Sequence, residues 1–89
     1  MIQRRIKITG QVQGVFYRAS AKQIADALDI NGWIRNNADG SVLAYVSGEE
    51  KSVTKFIEWC WQGPQNAIVS NVSAEEYAVD NGKGFEIRR

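Results

Sequence analysis

Arg18 closes the stretch "GQVQGVFYR", residues 10–18, at the junction between an alternating segment and one with helical spacing. A chain that passes so quickly from strand to helix needs glycine, and Gly14 takes a positive φ without a Cβ penalty, so successive N–H groups can face one concavity. A helix beginning near Phe16 adds further unpaired N–H groups and the positive end of its dipole. Arg18 supplies a planar, permanently charged fork that matches two phosphate oxygens. Three sources of positive potential thus converge, and a phosphate group is the ligand they fit. The same residues also suit a plain tight turn with a surface arginine, and taken alone they leave both readings open. No Gly-Lys-Ser/Thr follows, so this is not a nucleotide-gripping Walker loop, and the glycine spacing is wrong for a dinucleotide fingerprint.

A second stretch, "GWIRNNADGSV" at 32–42, carries two asparagines. Asn37 fits a turn former. Asn36 lies within the strand pattern, where its carboxamide has less local purpose. A carboxamide offers both a donor and an acceptor, so it can hold a water while contacting a phosphate oxygen. By spacing alone that signal is weak.

Much chemistry is excluded by what the chain lacks. It has no histidine, which removes the usual general base, the histidine-activated nucleophiles and the commonest metal ligand. Cys60 is the single cysteine, so there is neither an intrachain disulfide nor a zinc cluster. With Lys plus Arg 11 against Asp plus Glu 10, the formal charge of +1 is no footprint for a nucleic-acid backbone. Arg4, Arg5 and Lys7 would join Arg88 and Arg89 in a mild basic patch if the two ends lay on adjacent strands. The N-terminal residues lack an apolar run, so no signal peptide or membrane span is expected. "NVS" at 71–73 is read as a chance sequon, and the expected location is cytoplasmic.

The elements that must position these residues follow from periodicity. In residues 2–12, Ile2, Ile6, Ile8 and Val12 share one parity, with Arg5, Lys7, Thr9 and Gln11 on the other, which predicts a strand with one buried face. Residues 17–28 bring Tyr17, Ala21, Ile24, Ala25 and Leu28 to one side of a helix. "NGWIRNN" and "SVLAYVSG" read as strands joined at Asp39-Gly40. "EEKSVTKFIEWCWQG" places Val53, Phe56, Ile57 and Cys60 on a helical stripe, with Glu49 and Glu50 at its anion-favouring start and Gly63-Pro64 as its stop. A strand around 67–79, a turn at "DNGKG" and a short strand "FEIRR" with Phe85 and Ile87 inward complete the chain. The 89 residues form a single domain, 1–89, of α+β class. The order βαββαβ with a short extra strand predicts the ferredoxin-like sandwich, an antiparallel sheet with two helices on one face. Fold alone decides little about function.

Together these stretches resemble the acylphosphatase family. "GQVQGVFYR" is similar to the family's first signature and "GWIRNNADGSV" to its second, and the likeness continues through "FIEWCWQGP" to the terminal "GFEIRR". The resemblance implies hydrolysis of the carboxyl-phosphate bond of small acyl phosphates, with no metal and no cofactor. It implies that Arg18 binds the substrate phosphate together with the backbone N–H groups of Gln13, Gly14, Val15, Phe16, Tyr17 and Arg18. It implies that Asn36 positions the attacking water. The chain departs from the family pattern at "LDIN", where Asp29 replaces the usual helix-ending glycine. It departs again at Leu43, where a polar residue is frequent, and at "GPQNA". These departures touch stability or surface contacts.

Core packing is the favoured reading for both Phe16 and Tyr17, with one of them lining the mouth of the site as the alternative. Trp59 and Trp61 flank Cys60 and cannot share one stripe, so one of them is expected to be partly exposed. Cys60 reads as a small core residue. A non-catalytic phosphate-binding domain is the main rival, and it leaves Asn36 without a task. An RNA-binding module of the same fold calls for exposed aromatics on the central strands in a Lys/Arg-Gly-Phe/Tyr-type run, which is missing. A metal chaperone lacks its second cysteine. The expected partner is a small acyl phosphate, with no nucleic acid and no membrane, and the expected state is a monomer.

Overall fold

Ile6 and Ile8, residues of one parity, are buried, as is Val12 just past the strand end, and the strand that carries the two isoleucines, β1 (Ile2–Gln11), is flanked on both sides by other strands. After it come α1 (Tyr17–Ala27), β2 (Asn31–Asn36), β3 (Val42–Gly48), α2 (Glu50–Gln62), β4 (Ile68–Glu76) and β5 (Phe85–Ile87). The computed structural model describes residues 1–78 and 82–89. The turn expected at 80–84 and the end of the strand expected to reach 79 therefore lie partly outside the described residues.

The sheet order is β4-β1-β3-β2-β5. β1 is antiparallel to both β3 and β4, and β2 is antiparallel to β3. The short terminal strand departs from the antiparallel expectation: β5 runs parallel to β2, with Gly32 opposite Phe85 and Ile34 opposite Ile87. The sheet is therefore mixed, and the architecture is a ferredoxin-like α+β fold. A bulge between Thr9 and Gly10 bends β1 just before the strand-to-helix turn. Gly10 sits there at φ +127, and a Cβ would collide with the carbonyl oxygen of Ile68.

One core joins sheet and helices. From α1 it takes Tyr17, Ala21 and Ala25, and from α2 Val53, Phe56 and Cys60, as the stripes predict. Ile24, Leu28 and Ile57 are partly buried against it. Burying a side chain such as Phe56 contributes about 1.5–3 kcal/mol. Burial pushes the Cys60 thiol up to about 12, against the opposing hydrogen bond from Tyr17, so it is a packing group. Among the described residues, no helix is long and apolar enough to cross a membrane.

The other face of the sheet carries a ladder of rings. Trp33 stacks on Tyr45 at 4.5 Å between centroids, and Tyr45 meets Tyr77 edge-on at 5.0 Å. The guanidinium carbons of Arg88 and Arg35 lie 4.7 and 5.5 Å from the Trp33 ring centre. The conditional basic patch does not form, because β3 and β2 stand between β1 and β5.

At the end of α1, Ile30 N–H donates to Ala25 O (2.9 Å) and Asp29 N–H to Asp26 O (3.2 Å), the paired bonds of a Schellman ending. Asp29 is held at φ +56, a left-handed conformation that glycine occupies without strain. Its carboxylate also sits at the negative end of the helix dipole. We expect Asp29→Gly to raise unfolding stability by about 0.5–1 kcal/mol in urea titrations, the relief of left-handed strain being offset in part by glycine's entropy.

Candidate active site

β1 ends at Gln11, and the chain turns through residues 12–16 into α1. Gly14 takes φ +75, and the place of its missing Cβ is open space. Phe16, the N-cap residue, lies at φ +63 and ψ +23, a left-handed conformation that costs a non-glycine residue about 1–2 kcal/mol. It makes no side-chain capping bond, and α1's first bond runs from Ser20 N–H to Phe16 O (3.0 Å). The N–H groups of Tyr17, Arg18 and Ala19 precede that bond, so the helix gives them no partner. Among the described residues, no hydrogen bond engages the N–H groups of residues 13–19. The result is a concave row of donors at the positive end of a helix.

The Arg18 guanidinium donates one bond to the carbonyl oxygen of Arg88 (3.0 Å), which fixes it beside the row. Lys22, one turn further along α1, donates to Phe85 O at 2.9 Å. These two bonds tie α1 to β5 and to the residue that follows it. Asn36 approaches from β2, opposite Val42. Its Oδ1 is buried and, among the described residues, has no hydrogen-bond partner. A buried acceptor left unpaired costs about 1–3 kcal/mol, so one at a cleft wall is a poised acceptor for a ligand or a water.

These groups meet in one open cleft of about 340 Å³, walled by Gly14, Phe16, Tyr17, Arg18 and Asn36. Gln13 and Val15, expected as phosphate-binding positions through their N–H groups, do not line it. Ile87 and Arg89 do, although periodicity assigns one to the core and composition leaves the other in a solvated patch. The only hint of them in the sequence is the terminal "GFEIRR". Phe16 is 77% exposed at the rim, against the favoured core packing and in line with the alternative that one aromatic lines the mouth, because its left-handed backbone turns the ring away from the core. Tyr17 is buried as expected and donates its hydroxyl to Cys60 O at 2.7 Å. Burial pushes the Tyr17 phenol far above its ordinary range, so it does no acid–base work near neutrality. Trp59 packs on Tyr17 at 5.2 Å between centroids, while Trp61 is the exposed indole.

The side chain of Gln13 has a role that periodicity did not reveal. Its Nε2 donates to Asn37 O (2.7 Å) and Ser41 O (2.9 Å), clamping the loop to the hairpin directly after Asn36. The hairpin is braced in turn by Asn37 Nδ2 donating to Ser41 Oγ (3.0 Å). Asp39 accepts from both the hydroxyl and the N–H of Ser41 and pairs with Lys7 Nζ at 3.2 Å. The Ser41 bonds, more than Lys7, draw the Asp39 carboxyl down to about 2.

The family model for acylphosphatase matches residues 4–87. An acylphosphatase of Albidiferax ferrireducens is 51% identical over 84 residues, covering 94% of this chain and 90% of its own. The structure of an acylphosphatase from Coxiella burnetii superposes with a TM-score of 0.93 at 38% identity, covering 98% of this chain and 92% of that one. The crystal structure of acylphosphatase from Bacillus subtilis gives 0.96 at 31% identity, with each chain covered in full (100%).

Gln13→Ala removes the two side-chain bonds that join the loop to the hairpin and leaves Asn37 O and Ser41 O with only their backbone donors, Gly40 N–H and Asn37 N–H. We expect it to lower stability by about 1–2 kcal/mol in denaturant titrations, with the far-ultraviolet circular dichroism of the folded state retained.

Proposed function

The chain belongs to the acylphosphatase family of acyl-phosphate hydrolases, and from that premise we propose that it cleaves small acyl phosphates in the cleft between the N-terminus of α1 and β2. The observation that carries the residue assignments is the buried, unpartnered Oδ1 of Asn36 in the same cleft as Arg18 and the uncapped head of α1. The N–H groups of the loop and the Arg18 fork bind the phosphoryl oxygens, where negative charge is largest. Asn36 accepts a hydrogen bond from a water through Oδ1 and turns that water toward phosphorus.

Neither arginine nor a carboxamide removes a proton near neutral pH. The substrate does not require it. An acyl phosphate is an activated mixed anhydride whose carboxylate is a good leaving group. In a loose transition state, holding the water in line and stabilising the equatorial oxygens supplies most of the catalysis. Water oxygen bonds to phosphorus as the bond from phosphorus to the acyl oxygen breaks. The water's proton passes to a phosphoryl oxygen, and the products are carboxylate and inorganic phosphate. Every positive group needed here belongs to the protein, so the reading calls for no metal and no cofactor. The reading takes the protein to act as a monomer on a free small substrate. The buried single thiol of Cys60 fits a cytoplasmic setting. Nucleic acid and membrane are left out as partners, in keeping with the near-zero net charge.

We expect benzoyl phosphate to be hydrolysed with EDTA present, followed by ultraviolet absorbance. Losing one preorganised donor costs about 3–4 kcal/mol, so Arg18→Gln should lower kcat/KM at least 100-fold. Asn36→Ala should lower kcat by a similar factor while inorganic phosphate still binds. A folded but inactive native chain that binds phosphate would show a binding domain instead.

A further inference from the structure

Two of the large apolar side chains exposed at the surface come from opposite ends of the chain and meet at the same cleft. Phe16 is 77% exposed and Ile87 is 37% exposed, and both line the cavity that holds Arg18 and Asn36. A single exposed apolar residue is ordinary. Phe16 is not ordinary, because it also holds a left-handed backbone. Asparagine or glycine would take that conformation more readily and leave no ring in water. Ile87 is delivered to the same rim by the parallel pairing of β5 with β2 and by the bond from Arg18 to Arg88 O.

We infer that Phe16 and Ile87 form an apolar seat for the acyl group, which selects acyl phosphates with aromatic or branched aliphatic acyl parts over acetyl phosphate. The inference rests on the proposed reading of the cleft and adds its substrate class. Once the phosphoryl group occupies the N–H row, the acyl part must leave the cleft past the rim. Neither Phe16 nor Ile87 offers a hydrogen bond there, so a polar acyl chain gains nothing from them. An aromatic ring gains the removal of apolar surface from water, and covering roughly 50–60 Å² is worth about tenfold in affinity. Arg89 lines the same cleft, so an acyl chain with its own carboxylate is the competing class.

The test compares benzoyl, acetyl and succinyl phosphates as substrates, and benzylphosphonate with methylphosphonate as non-hydrolysable ligands, for the native chain and for Phe16→Asn. Asparagine tolerates the left-handed backbone and removes the ring. The native chain should have its lowest KM for benzoyl phosphate and bind benzylphosphonate about tenfold more tightly than methylphosphonate. In Phe16→Asn both preferences should fall about tenfold. Ile87→Thr keeps a β-branched residue in β5 and should shift the same ratios severalfold, which preserves the test if Phe16→Asn does not fold. Preferences equal in native and variant chains, or a lowest KM for succinyl phosphate, would overturn the apolar seat. Phosphonate preference that is lost in the variants, but with none of the acyl phosphates turned over, would keep the seat and overturn the hydrolase reading.

Discussion

A left-handed residue at the head of α1 is the constraint on which the site depends. Because Phe16 takes that conformation and offers no capping side chain, the first N–H groups of the helix are left for a ligand. Such an arrangement is unfavourable by itself, since it combines backbone strain with unsatisfied donors. It persists because its surroundings fix it on three sides. The Gly10 bulge sets the angle at which β1 enters the loop. Gln13 ties the loop to the β2–β3 hairpin. Tyr17 ties the helix start to the end of α2 through a buried bond to Cys60 O.

The same restraints set the distance between the two side chains to which the proposed reaction is assigned. Arg18 stands on the second residue of α1, and Asn36 stands on the last residue of β2. Nothing in either element alone brings them together. The C-terminal segment does so from one side, β5 pairing with β2 and accepting a bond from Lys22 of α1 while Arg88, the residue after it, accepts one from Arg18. The Gln13 clamp does so from the other. Catalysis by positioning requires this kind of rigidity, because a misplacement of about 1 Å can cost 100-fold. The interior meets that need without an acid–base group, as the raised Tyr17 phenol and Cys60 thiol show.

Most of the scaffold is legible in the sequence because burial imposes a period. The even parity of Ile6 and Ile8 and the stripe of Val53, Phe56 and Cys60 follow directly from which face meets the core. Arg18 and Asn36 are legible because their types are specific and their surrounding stretches carry a family pattern. The departure at Asp29 is legible too, since the chain there still takes the left-handed turn that a glycine would have made. Contributions made by backbone atoms or by geometry leave no such trace. The carbonyl that anchors Arg18 belongs to Arg88, and any residue type would supply it. The parallel direction of β5 depends on how the preceding segment crosses the sheet. Phe16 reads as core because it is aromatic, and only its φ shows that it faces out. Trp33 and Tyr45 sit directly opposite each other on the open face, a pairing set by register.

The most direct measurement is the fate of the water oxygen. Benzoyl phosphate is hydrolysed by the native chain in water enriched in a heavy oxygen isotope, and phosphate and benzoate are then analysed by mass spectrometry. Attack at phosphorus by a water held on Asn36 predicts one heavy oxygen in every phosphate formed and none in benzoate. Label in benzoate would mean attack at the acyl carbon, and would contradict a cleft built around the phosphoryl group.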